Sequence, residues 1–438
     1  MAKYTLIQNA RVLREGGTRI EDADLLLQTA EDGKSAVIVA IERRIPRQSL
    51  DGTLSVINVR GNLVTPCFKD LSVSLREPGN MYKESIAATV NAARHGGYDT
   101  LLSFFESHTD YTPRDVLEYW HAYPQDPDVR LAFTAPAFSA DGTLSPIEEL
   151  LSYSDTVLTN RFATSDNRAI LLDAMRACAD AGKTFVLYPR VSSLARNGAV
   201  NAHIASGMKA NGILPVAESL AVAEGIMLAE EAGCSLHIAA LSLEKSVSLV
   251  REAKKHGLPV TADTSPAYFY FSEAELYYNG ARAKLFPPLR EERDRMAVLE
   301  GISDGTIDAI ASHHVPNATR DYQNTTLQSA PFGAVGLELT LPATVEALLA
   351  HGMITTVRLV ELLSLAPRRI LSGMGIETAK GHFLQVGDTP NFNVLSLDAT
   401  VKISESSFHG RATNTPFMDT YLQGAVERTF RRGLEVKL

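Results

Sequence analysis

The sequence predicts an α/β protein that combines a parallel sheet, open or closed into a barrel, with a small β domain. From about residue 63 onward, apolar strand-like runs alternate with amphipathic stretches of helical period, a pattern typical of parallel βα units. This alternation continues to about residue 384, a length that suits a (β/α)₈ barrel with insertions. Short β-rich runs occupy both ends of the chain and predict the second domain.

The alternating region contains clear candidates for both kinds of element. The predicted strands are Thr100–Phe105, Arg130–Thr134, Thr184–Tyr188, Ser235–Ala239, Pro259–Ala262 and Ile307–Ala311. Between them, helical periodicity predicts helices at Arg168–Ala181, Ser219–Ala232 and Leu243–His256.

The two ends of the chain lack helical periodicity. Their β-rich runs are Tyr4–Ile7, Leu25–Leu27, Ala36–Val39, Phe392–Leu395 and Tyr421–Leu422. Because chain termini often lie close together, we expect residues 1–62 and 385–438 to form one composite β domain, with residues 63–384 as the barrel.

Composition excludes several classes of function. The 438 residues carry a formal charge of −9, which argues against a general nucleic-acid or acidic-membrane partner. Cys67, Cys178 and Cys234 form no CxxC pair, so we expect buried reduced thiols. The N-terminal residues resemble no signal peptide, and no run of about 18 apolar residues occurs. We therefore expect a cytoplasmic protein without a membrane span.

Several motifs occur in an order that resembles the dihydroorotase family of the amidohydrolase superfamily. The segment 70–79, DLSVSLREPG, is similar to the first-strand signature D-x-H-x-H-L-R-E-P-G. PPLR at 287–290, DGTIDAIAS at 304–312, APFG at 330–333 and NTPF at 414–417 follow in order. Each motif alone is weak, but together they cover nearly the whole chain. The resemblance implies a (β/α)₈ TIM-type barrel with a small β-sandwich domain formed from both termini.

The resemblance also implies a dinuclear zinc site, held by two His on strand one, a carboxylated Lys, two further His and an Asp. Such a site activates water for hydrolysis of a cyclic amide. In this sequence every one of these positions is changed. The degenerate positions are Ser72, Ser74, Tyr188, Ala240 and His313. A neutral serine hydroxyl is a poor zinc ligand, and no lysine occurs between Lys83 and Lys183 to supply the carbamate in residues 155–165.

The remaining histidines leave one metal alternative open. His313 or His314 could join His237 in a mononuclear site, but adjacent strand residues point in opposite directions, so only one of the pair can face inward. Ordinary packing and hydrogen bonding is the other interpretation. The sequence therefore predicts no metal and no other cofactor.

Substrate-binding positions are only partly retained. Arg76 matches the arginine that, in the resembled family, holds the substrate carboxylate, and an internal salt bridge is the alternative. Glu106 and Phe286 stand where the family has Asn, and Ser265-Pro266-Ala267-Tyr268 replaces TPHH. A carboxylate beside a former anion site would repel an anionic substrate.

These changes predict a dihydroorotase-like pseudoenzyme of pyrimidine biosynthesis. The resemblance includes inactive chains that assemble with aspartate transcarbamoylase, so the expected role is a structural or assembly subunit for that enzyme's catalytic chain, in a homo- or hetero-oligomer. We expect the polar segment Ser312–Ala330, with Arg320 and Tyr322, to contribute to the contact. The alternatives are a divergent cyclic-amide hydrolase with an atypical metal site and a small-molecule binding protein anchored on Arg76.

Overall fold

The computed structural model describes residues 2–14, 19–47, 52–106, 111–139, 142–161, 167–378 and 384–436, and its strands form two eight-stranded sheets and one short ribbon. In chain order the strands are β1 (Ala2–Leu13), β2 (Ile20–Thr29), β3 (Ala36–Glu42), β4 (Gly52–Asn58), β5 (Leu63–Pro66), β6 (Phe68–Val73), β7 (Tyr98–Ser103), β8 (Arg130–Pro136), β9 (Thr156–Thr159), β10 (Phe185–Leu187), β11 (Val200–Asn201), β12 (Gly212–Ile213), β13 (Leu236–Ile238), β14 (Val260–Thr264), β15 (Ala309–Ile310), β16 (Phe392–Lys402), β17 (Tyr421–Arg431) and β18 (Leu434–Glu435).

The α-helices connect and cover these strands. They are α1 (Ile86–His95), α2 (Pro113–Ala122), α3 (Ile147–Ser152), α4 (Arg168–Asp180), α5 (Ser192–Ala195), α6 (Val216–Ala232), α7 (Glu244–Lys255), α8 (Pro266–Tyr270), α9 (Leu276–Asn279), α10 (Glu292–Ser303), α11 (Thr340–Thr344), α12 (Thr356–Val360) and α13 (Ala366–Gly373). Single residues define two of the helix ends. The Ser85 hydroxyl accepts the Ala88 N–H at the start of α1, and Gly233 ends α6 in the left-handed conformation.

The larger domain is a (β/α)₈ barrel. Its sheet has the parallel order β6-β7-β8-β9-β10-β13-β14-β15. The first and last strands meet where Val73 bridges His314, and the Ser74 N–H donates to the His314 carbonyl over 2.8 Å. The barrel interior is filled by apolar side chains such as Leu102, Val186 and Ala309. This packing confirms the predicted fold class and places the carboxyl ends of eight strands around one opening.

The second domain is one sheet made from both ends of the chain. β16 pairs antiparallel with β5, β5 pairs with β1, and β1 continues to β2 and β4. Because β5 (Leu63–Pro66) lies in this sheet, the β domain extends a few residues past Asn62, and the first barrel strand starts at Phe68.

Other expectations concern the cysteines and the membrane. Cys67, Cys178 and Cys234 are all buried and free, as predicted. None of the helices in the described ranges is both long and apolar enough to cross a membrane.

Candidate functional site

Ser72 and Ser74 lie at the carboxyl end of β6, and both are completely buried. The Ser72 hydroxyl is 3.0 Å from the Tyr188 hydroxyl and 3.1 Å from His313 Nδ1. The Ser74 hydroxyl has no hydrogen-bond partner among the described residues. Three of the five positions singled out from the sequence therefore meet in one hydrogen-bonded cluster inside the barrel mouth.

Asp263, at the end of β14, joins this cluster to a second histidine. Its Oδ1 is 2.9 Å from His313 Nε2, and its Oδ2 is 3.0 Å from His237 Nε2. Burial alone would raise the pKa of Asp263, but interactions with His313 and His237 outweigh it and hold that pKa well below its usual range. The carboxylate is therefore ionised and bracketed by two imidazoles.

Arg161 fills the space beside Tyr188. Its guanidinium lies 3.3 Å from the centroid of the Phe104 ring and 4.3 Å from that of Tyr188, a cation–π arrangement. Burial lowers the pKa of Arg161 and raises the pKa of Tyr188. Asn160 fixes the Tyr188 backbone by hydrogen bonds to its carbonyl (3.0 Å) and from its N–H (2.8 Å). The rest of the segment in which the lysine was sought, residues 162–165, lies outside the described residues.

Ala240 presents only a methyl group and its backbone to the site. Its N–H donates to Asp263 Oδ1 over 2.8 Å, and its φ of 61° lies in the left-handed region, which a residue with a Cβ seldom adopts. His313 has a φ of 46° at the end of the last strand. Strained non-glycine backbone of this kind tends to gather at functional sites.

Arg76 forms the internal salt bridge left open by the sequence. Its Nη1 donates to both oxygens of Glu106, at 2.9 and 2.7 Å, while Nε and Nη2 donate to the Pro316 carbonyl and to Asn317 Oδ1. A substrate carboxylate would have to displace Glu106 from this guanidinium.

The residues present do not fit a metal centre. In the described part of the chain, no group of three or more His, Cys, Asp or Glu side chains could hold a metal ion. His237 and His313 each direct Nε2 at Asp263, and their Nδ1 atoms contact Thr261 Oγ1 (2.9 Å) and the Ser72 hydroxyl. The mononuclear alternative would require breaking these hydrogen bonds.

His314 points away from the cluster, as strand alternation predicts. Its Nδ1 accepts the Gly336 N–H over 3.2 Å, and burial lowers its pKa to about 3. It is therefore a neutral packing residue.

Sequence reasoning missed Asp263, which sits at the centre of the cluster. The signal available was a carboxylate within the buried strand Val260–Thr264, since a fully buried Asp is rare unless it is paired. Sequence reasoning also did not predict the stacking of Arg161 on Phe104.

Comparisons with known proteins agree with this architecture. A model of the Dihydro-orotase-like family matches residues 61–246. The chain is 31% identical to the dihydroorotase of Staphylococcus aureus strain MRSA252, covering 99% of this chain and 98% of the relative. It is also 31% identical to the dihydroorotase of Listeria monocytogenes serovar 1/2a, covering 98% of this chain and 97% of the relative.

Solved structures share the fold over the full length. L-hydantoinase from Arthrobacter aurescens superposes with a TM-score of 0.83 at 22% identity, covering 99% of this chain and 95% of that one. Dihydropyrimidinase from Brevibacillus agri gives 0.81 at 19% identity, covering 100% and 95%. At these identities the likeness concerns the fold.

Together with the fold, the similarity to dihydroorotases places the chain in the amidohydrolase superfamily. Within it, the full-length similarity to the curated relatives shows that the chain belongs to the dihydroorotase family.

Proposed function

We propose that this chain is a non-catalytic dihydroorotase-like protein of the cytoplasm that serves as an assembly subunit for aspartate transcarbamoylase. The observation that supports the loss of catalysis is the cluster of Ser72, Tyr188 and His313. Where the resemblance calls for metal ligands, these side chains bond to one another and to Asp263. A self-satisfied buried network resists rearrangement, because each broken bond leaves an unsatisfied polar group.

The side chains of this cluster do not provide a metal-free mechanism either. Ser72, His313 and Asp263 are connected in the order nucleophile, base and acid. Yet Ser72 has no exposed surface and its hydroxyl also contacts Tyr188, so a substrate carbonyl has no route to it. Nucleophilic catalysis requires attack from an accessible oxygen.

One observation favours the alternative, a divergent dihydroorotase or other cyclic-amide hydrolase: the similar curated relatives are named dihydroorotases. Two measurements separate the proposals. Elemental analysis of the purified chain should find no stoichiometric zinc, and turnover of dihydroorotate and carbamoyl aspartate should stay at background. One or two zinc ions per chain, with turnover near the enzyme median of about 10 per second, would establish the hydrolase.

The assembly role needs a surface at the barrel mouth. Segment Ser312–Ala330 contains a short 3₁₀ turn, Thr319–Tyr322, that was not predicted. Arg320 is exposed and stacks 3.8 Å from the centroid of the Tyr82 ring, whereas Tyr322 is half-buried. Met81 and Tyr82 are 52% and 44% exposed beside them. This arrangement favours Arg320 and Tyr82, rather than Tyr322, as contact residues.

The test is to mix the chain with the catalytic chain of aspartate transcarbamoylase at micromolar concentration and measure the mass by light scattering after size exclusion. A specific complex should bury more than roughly 1,000 Å². We expect co-elution, and a weaker complex for the Tyr82→Ala, Arg320→Ala variant than for Arg293→Ala on α10, whose side chain is 68% exposed. Separate elution of the unmodified proteins would contradict the assembly role.

A further inference from the structure

A cavity of about 250 Å³ opens beside the buried cluster at the carboxyl ends of the barrel strands. Four cationic side chains line it, namely Arg76, Lys83, Arg161 and Arg190, against one carboxylate, that of Glu106. Cavities lined by one sign of charge within low-dielectric walls concentrate ions of the opposite sign. The lining therefore favours an anion.

The four cations are not equivalent. Arg76 is occupied by Glu106, Pro316 and Asn317, as described above. The Lys83 amino group lies 3.1 Å from Asn317 Oδ1 and 3.5 Å from Asp321 Oδ2, so part of its charge is neutralised. Arg161 is stacked against the rings of Phe104 and Tyr188.

Arg190 differs from the others. It follows β10 by three residues, and its guanidinium lies 4.8 Å from the centroid of the Phe286 ring. Within the described ranges its Nε has no hydrogen-bond partner and no carboxylate lies within ion-pair distance. Burial lowers the pKa of Arg190. A half-buried cation without a counter-ion is costly, so an anion bound here would satisfy it.

Beside Arg190, the cavity has an apolar wall. The rings of Phe286 and Phe332 meet edge to face, with centroids 5.7 Å apart and planes at 83°. Ile213 and Ala195 complete this wall. A cavity of about 150 Å³ accommodates benzene, so this larger one has room for a ring that carries a carboxylate.

We propose that the cavity is a binding site for a small carboxylate with a planar apolar body, in which the Arg190 guanidinium holds the carboxylate and Phe286 and Phe332 contact the ring. A guanidinium fork matches carboxylate geometry, and aromatic walls add stacking contacts. The anchor is Arg190, because Arg76 is held by Glu106. This proposal does not rest on the assembly role.

The experiment titrates 4-fluorobenzoate into the full chain and follows the fluorine resonance by NMR. We expect saturable binding, with a Kd at or below about 1 mM. Arg190→Met should weaken binding by roughly tenfold or more, because a charge-assisted hydrogen bond is lost. Arg190→Lys should be intermediate, since the charge stays but the fork is lost. Arg293→Met, the same change at an exposed arginine, should bind like the unmodified chain.

A second variant removes a negative charge from the cavity lining and should change binding in the opposite direction. Glu106→Gln removes the only carboxylate among the lining residues and releases Arg76, so binding should tighten severalfold. Far-ultraviolet circular dichroism and the melting temperature report on folding. Arg190→Met should melt no lower than the unmodified chain, because no carboxylate among the described residues pairs with the cation that it removes and the methionine side chain can still pack on Phe286.

Several results would overturn the proposal. They are no saturation by about 10 mM 4-fluorobenzoate, equal binding of the neutral 4-fluorobenzamide, equally effective competition by inorganic phosphate, and unchanged binding in Arg190→Met. All are measured on the chain alone, so their outcome is separate from complex formation with aspartate transcarbamoylase.

Discussion

Two regions of the barrel bury carboxylates in contrasting ways. At the joint with the β domain, Asp99 lies 3.0 Å from the Lys69 amino group, and the Asn391 amide donates to it over 3.1 Å. Burial raises the pKa of Asp99, but Lys69 and Arg431 outweigh this and lower it overall. Inside the barrel, Asp70 accepts the backbone N–H groups of Ser72 and Ser312 and also interacts with the Ser312 side chain, but burial outweighs these neutral donors and raises its pKa to about 6.

The difference shows that neutral donors, here backbone N–H groups and a serine side chain, do not offset the burial of a carboxylate as two cations do. The joint holds cations that match its carboxylate, whereas no cation lies within ion-pair distance of Asp70 in the described part of the chain. The two acids lie on adjacent strands, so local partners and not depth decide the direction of each shift. The joint should therefore be the more sensitive of the two to loss of one charge.

The largest expected loss of stability follows from a substitution at Asp99, at the joint between the barrel and the β domain. Asp99→Asn leaves Lys69 buried without its counter-ion and should lower the free energy of unfolding by about 3 to 5 kcal/mol in urea titrations. Because the pKa of Asp99 is lowered, this contribution is present above pH 3.8 and is lost as the pH falls further. Asp304→Asn, at a partly exposed ion pair with Arg251, is the control and should cost less than about 1 kcal/mol. Equal losses of stability in Asp99→Asn and Asp304→Asn would contradict the stronger dependence of the buried pair on its charges.

Inside the barrel, Asp70 should give the opposite pH response. Between pH 3.8 and about 6 the folded chain holds a proton on Asp70 that the unfolded chain has released. Stability therefore falls as the pH rises through this window, by up to about 3 kcal/mol. Asp70→Asn should lack this contribution to the slope, so the difference in the free energy of unfolding between the two chains should change from pH 4 to 7, and that change is the readout. Parallel profiles would contradict the assignment.

A smaller effect is expected from His313. His313→Ala removes a partner from both Ser72 and Asp263 and should destabilise the chain by roughly 1 to 3 kcal/mol. His351→Ala, at an exposed histidine, serves as the matched control and should change stability by less than about 0.5 kcal/mol. If His313→Ala left the free energy of unfolding unchanged, the cluster would contribute nothing to the stability of the fold.

The smallest effect on activity is expected from replacing the two serines of the first barrel strand by histidines. The double variant Ser72→His, Ser74→His restores the two histidines that the resemblance calls for on the first barrel strand. It leaves Tyr188, Ala240 and the Arg161 cation in place. Groups that act as a unit are strongly non-additive, so we expect neither stoichiometric zinc nor turnover. Elemental analysis and a dihydroorotate assay check this, and zinc-dependent turnover in the double variant would show that the remaining ligands have been misassigned.

The repeating pattern was sufficient to predict the barrel. Predicted strands such as Arg130–Thr134 and Ser235–Ala239 coincide with β8 and β13 to within two residues at either end, because buried parallel strands are continuous apolar runs. The first strand was predicted too short, as Tyr4–Ile7. A bulge between Ile7 and Ala10, with Asn9 at a φ of 57°, interrupts the alternation on which the prediction depends.

The site was predictable only where the motifs supplied its positions. Ser72, Tyr188 and His313 were selected by resemblance, and the structure brings them into contact. The partners of Asp263 and Arg190 were not predictable, because they come from distant parts of the chain and a single sequence does not show which segments meet.

The attachment of segment Ser312–Ala330 bears on the kinetics of any docking event. Asn317 bonds to Arg76, Lys83, the Phe332 carbonyl and Asn414, and Asp321 bonds to Tyr82. A surface already fixed in this way loses little conformational entropy when a partner arrives. Association at this face should then proceed as a nearly rigid encounter, with its rate set by orientation and salt rather than by a folding step.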